Sequence, residues 1–81
     1  ARLLSEERRA LGKRLIEIEK HLSRLHEEKT ALETWLADAA SYQPENTVRL
    51  KEAVAKQAQV VEQLQQTEDQ WLEVSEALAP A

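Results

Sequence analysis

The sequence predicts an all-α protein, specifically an antiparallel two-helix coiled-coil hairpin, on three observations. Leu11, Leu15, Ile18, Leu22, Leu25, Leu32 and Leu36 follow one another in steps of four and three, with Lys29 in the one empty slot. That is the heptad rhythm of a helix burying a narrow seam against another helix. Proline occurs only at Pro44 and Pro80 and glycine only at Gly12, so a single break divides two long stretches. Charged residues make up 32% of the chain, and with abundant Ala, Leu and Gln this is the composition of long helices.

Helix one is expected over about 4–39. Ser5 is a candidate cap that would leave Glu6 and Glu7 in the favourable first turn, and Gly12 marks either a close approach or a tolerated glycine. The turn is expected over about 40–46, because Pro44 disfavours helical geometry at Gln43 and suits the start of a new helix. Asn46 is a second candidate cap. Helix two then runs over about 47–78 and Pro80 closes it. A short connection between two long helices makes the antiparallel hairpin the economical arrangement.

Two registers fit the seam. One pairs Leu36 with Leu50, Leu32 with Val54, Lys29 with Gln57, Leu25 with Val61 and Leu22 with Leu64, and sets Glu33 near Lys51. It fails toward the termini, where a shift of three residues pairs Ile18 with Trp71, Leu15 with Val74 and Leu11 with Leu78. The incompatible frames predict a packing irregularity around Gln57 to Val61, of the stammer or helical-bulge kind. Trp71 is expected in the seam, Trp35 beside it near the turn and Tyr42 in the turn.

At 81 residues the chain is one small domain, and its start at Ala1 rather than methionine points to a segment of a longer protein. It has no cysteine, which removes disulfides and thiolate metal sites and fits a cytoplasmic origin. No apolar run approaches a membrane span. His21 and His26 lie on opposite flanks of the seam, and Glu17 with His21 supplies only two ligands, so no metal site is expected. His21 is placed for a hydrogen bond near Thr67 or Glu68. No nucleophile stands beside a base and no glycine-rich phosphate loop is present, so neither catalytic nor cofactor-binding residues are expected and the segment is not an enzyme.

The net charge is −4, but eight of the eleven basic residues lie in the first 29 positions, while Glu62, Glu68, Asp69, Glu73 and Glu76 crowd the end. Folding back sets the basic start beside the acidic end. Arg9, Lys13, Lys20 and Arg24 share the outward face of helix one at spacings that suit a row of phosphates, although Glu17 and Glu27 interrupt it and a mixed solvated face is the plainer reading. The wet flanks of a two-helix seam also leave room for a weak homodimer.

The stretch Leu32-Glu33, Leu36-Ala37-Asp38 and Tyr42, followed by a leucine-rich helix ending in Trp71-Leu72-Glu73 and Leu78, resembles the C-terminal coiled-coil domain of ABC-F ATPases. These are duplicated ATP-binding-cassette proteins of the Uup type without membrane-spanning segments. The likeness covers nearly the whole chain, and departs from the family at Ala39-Ala40-Ser41, where a proline is often found. It implies upstream domains in the same chain that hydrolyse ATP with Mg, and a hairpin that contributes to DNA, ribosomal RNA or ribosome association in the cytoplasm. None of the family's ATP-site motifs falls in this segment. The alternatives are a structural spacer or protein-docking hairpin without nucleic-acid binding, and, further off, an RNA-binding arm like that of a seryl-tRNA synthetase.

Overall fold

The computed structural model describes residues 4–80. Two helices, α1 (Ser5–Ala37) and α2 (Thr47–Leu78), are joined by two short 3-10 turns, Ala39–Tyr42 and Pro44–Asn46. They fold back into a rod of 59 × 15 × 15 Å, close to the roughly 50 Å that 33 helical residues span at 1.5 Å each. This is the expected helical hairpin.

The seam of α1 is the expected one. Ile18 and Leu25 are buried, and Leu11, Leu15, Leu22, Lys29, Leu32 and Leu36 are half-buried. On α2 the seam is Leu50, Ala53, Gln57, Val60, Leu64, Thr67, Trp71, Val74 and Leu78, again in steps of three and four, with Gln63 and Ser75 half-buried beside it. Leu25, Val60 and Leu64 form the core, with Leu22 and Leu32 packed against them.

The expected irregularity around Gln57 to Val61 is therefore absent. α2 is one continuous α-helix, and the register inferred near its C-terminus extends to the turn. The first register is corrected at Val54 and Val61, which are 53% and 46% exposed while Ala53 and Val60 are covered. Six seam positions from Val60 to Leu78 outweigh the preference for Val over Ala at one site. Glu33 pairs with Lys29 at 3.8 Å rather than approaching Lys51. Thr67 enters the seam because its hydroxyl donates to the Gln63 carbonyl one turn back, 2.7 Å away, leaving no polar atom unsatisfied; the expected His21 contact there does not form.

Helix α1 starts one residue later and ends two residues earlier than expected. Leu4, not Ser5, is the capping residue, and it makes no side-chain cap. Asn46 occupies the capping position of α2 but also makes no cap there. Gly12 is not a close approach, since a Cβ built on it meets nothing within 4 Å. Gly12→Ala is accordingly expected to stabilise the hairpin by about 1 kcal/mol through helix propensity and a less flexible unfolded chain. A higher urea midpoint at unchanged slope would show this.

Candidate nucleic-acid interface

Arg9, Lys13, Lys20 and Arg24 are all exposed on α1. At 100° per residue they fall within an arc of about 60°, on the side of the helix away from the seam, and the row is about 22 Å long. Along that length one strand of B-DNA carries about six phosphates. Glu17 holds Lys20 at 3.6 Å. Among the described residues Arg9, Lys13 and Arg24 take part in no ion pair. The outward side of α2 carries Glu62, Asp69 and Glu76, spaced by seven, so the negative charge is gathered across the rod from the basic row. Glu17 and Glu27 stand among the cations on the outer face of α1, so that face is mixed, while the outward acids of α2 lie across the rod.

Flanking contacts fix how the helices sit. Glu28 meets Lys56 at 3.3 Å, and the Arg49 guanidinium lies 4.7 Å over the Trp35 ring. Both contacts are on one flank and keep the same register. Near the termini Arg8 donates to the Leu78 carbonyl at 3.1 Å, a cation at the C-terminal end of α2 where the helix dipole favours it. Trp71, half-buried in the seam, donates its indole N–H to Glu19 at 3.3 Å. Trp35 is thus a packing residue beneath Arg49.

The turn is built by side chains that satisfy backbone groups left over where α1 stops. Asp38 takes an extended conformation that ends the helix, and its carboxylate accepts from the Ala40 N–H at 3.0 Å. The buried Ser41 hydroxyl donates to the Trp35 carbonyl at 2.5 Å and the Tyr42 hydroxyl to the Leu36 carbonyl at 2.8 Å. Asn46 donates to the Ala40 carbonyl at 2.9 Å. Tyr42 is therefore 58% exposed as a residue while its hydroxyl is fixed. No described residue has positive φ, so the turn requires no glycine. The bridging roles of Asp38, Ser41 and Asn46 escape a sequence reading, although Asp, Ser and Asn clustered in a break are the signal for them. Asp38→Ala is expected to lower stability by about 1 kcal/mol, the usual effect of losing such a cap, measurable by thermal denaturation.

His21 and His26 are exposed, and among the described residues no three His, Cys, Asp or Glu converge to hold a metal. None of the described helices is long and apolar enough to cross a membrane. By fold this is a helical hairpin. Compared with models of known protein families, with curated proteins and with solved structures, the chain matches none.

Proposed function

We propose that this chain is a non-catalytic coiled-coil arm, the C-terminal module of an ABC-F-like ATPase, that contributes to nucleic-acid or ribosome association in the cytoplasm. The observation that carries the nucleic-acid part is the row of Arg9, Lys13, Lys20 and Arg24, about 22 Å long on the outer face of α1 (about 15 residues at 1.5 Å), interrupted by Glu17 and Glu27 but with the acids Glu62, Asp69 and Glu76 of α2 turned away from it. A net negative molecule can bind a polyanion when its cations are gathered on one side. The family part is supported by what the resembling residues do. Asp38 and Tyr42 hold the turn, and Trp71 lies in the seam, so the motif has a physical reason to recur in a hairpin of this build.

The test is fluorescence anisotropy of a labelled DNA duplex and a labelled ribosomal RNA hairpin, titrated with the chain at low salt. Binding that weakens with salt and is lost when Arg9, Lys13, Lys20 and Arg24 become Glu supports the proposal. Absence of binding to either probe at low salt, by the chain and by the intact parent protein, favours the spacer or protein-docking hairpin instead.

A further inference from the structure

The outer face of α1 is ordered by sign. Toward the turn it carries Glu6, the pair Arg9 and Lys13, then Glu17, the pair Lys20 and Arg24, and Glu27, all exposed. Consecutive members are three or four residues apart, so they are neighbours on one side of the helix. Each pair spans about 6 Å, and about 10.5 Å separates Lys13 from Lys20, the nearest cations of the two pairs. Acids therefore bracket each pair and fill the gap between them. Among the described residues only Lys20 of the four cations is held in an ion pair, by Glu17.

This order of charge disfavours a continuous line of phosphates. Laid along one strand of B-DNA, the row would meet about six phosphates over its length, and those between Lys13 and Lys20 would face the Glu17 carboxylate. Two separate lines of phosphate suit it better. The two strands of B-DNA flank a major groove roughly 12 Å wide and a minor groove roughly 6 Å wide. The gap between the cation pairs matches the wider groove and exceeds the narrower one.

We infer that α1 lies across the major groove of duplex DNA, with Arg9 and Lys13 on the phosphates of one strand and Lys20 and Arg24 on those of the other. This rests on the nucleic-acid reading above and narrows it to a B-form double helix. Glu17 then stands over the groove, where no phosphate opposes it. Glu6 and Glu27 lie beyond the two strands, where a straight rod departs from the curved surface of the duplex. A single strand has one line of phosphates and reaches both pairs only by passing Glu17. The acid in the gap thus selects double-stranded over single-stranded partners.

Fluorescence anisotropy of the 81-residue chain with a labelled DNA duplex of about 20 base pairs, one of its strands alone, and an RNA duplex of the same sequence tests this. The DNA duplex should bind at least several-fold tighter than either other probe. The decisive variant exchanges two exposed charges, Glu17→Lys with Lys20→Glu, which keeps the net charge and the number of cations on the face. It should weaken duplex binding about tenfold at 100 mM salt, the worth of one phosphate contact, while circular dichroism keeps its helical signal. A row that follows one strand would instead bind as well or better after the exchange, because the gap closes. That result overturns the inference, as does a single strand or an RNA duplex bound as tightly as the DNA duplex. In each of those cases salt-dependent binding that is lost on reversing all four cations leaves the nucleic-acid reading standing. Absence of binding to all three probes at low salt removes both.

Discussion

Val60→Asp is expected to unfold the hairpin, whereas Val61→Asp next to it leaves the hairpin folded. Val60 has no exposed surface and packs with Leu25 and Leu64. A carboxylate there would be desolvated beside Leu25 and Leu64, and the half-buried Lys29 across the seam already faces Glu33 at 3.8 Å. Removing the valine and stranding a charge together cost several kcal/mol. A chain this small folds with only a few kcal/mol in hand, and the described residues that are well buried are few. The loss therefore exceeds what the rest of the seam can hold. Val61 is 46% exposed, and surface substitutions of that kind usually change stability by about 0.5 kcal/mol or less. Helical circular dichroism at 25 °C separates the outcomes. If Val61→Asp were the unfolded variant, the register with Val61 in the seam would be restored and the continuous frame described above would be wrong.

The same pair of residues explains how far the sequence could be read. α1 was legible throughout, because between Leu11 and Leu36 the further apolar residues Ile16, Ala31 and Trp35 all fall outside the four-and-three rhythm, which excludes them. α2 offers two apolar residues side by side at Ala53-Val54 and at Val60-Val61, and the rhythm cannot choose between them locally. One residue is 100° of helix rotation, so the wrong choice turns the face of α2 and demands a compensating irregularity elsewhere. What resolves it is the rest of the seam, including Thr67, whose hydroxyl finds its partner within its own helix. The turn was legible as a break but not as a construction. Ser41 is 2% exposed, and a serine's burial against a carbonyl six residues earlier depends on how the chain closes in space. The row of Arg9, Lys13, Lys20 and Arg24 needs only the period of one helix, and the structure keeps those side chains together and exposed.

That row makes the second large expected effect. If four cations meet four phosphates of a duplex, affinity should fall with salt at a logarithmic slope of about −3.6, which is roughly a hundredfold between 50 and 200 mM. Reversing all four charges replaces attraction by repulsion and should remove measurable binding. The contributions need not be equal. Lys20 is held by Glu17 at 3.6 Å, so it must leave that partner to reach a phosphate, and Glu17→Gln should therefore strengthen binding a few-fold. Lys56→Glu serves as the comparison. It changes net charge by the same amount as any one reversal in the row, but Lys56 belongs to the flank and already faces Glu28 at 3.3 Å. An effect at Lys56 as large as at Lys13 would mean that the probe responds to net charge alone. A clear difference, with a slope that drops by about one for each cation removed from the row, would locate the phosphates on the outer face of α1.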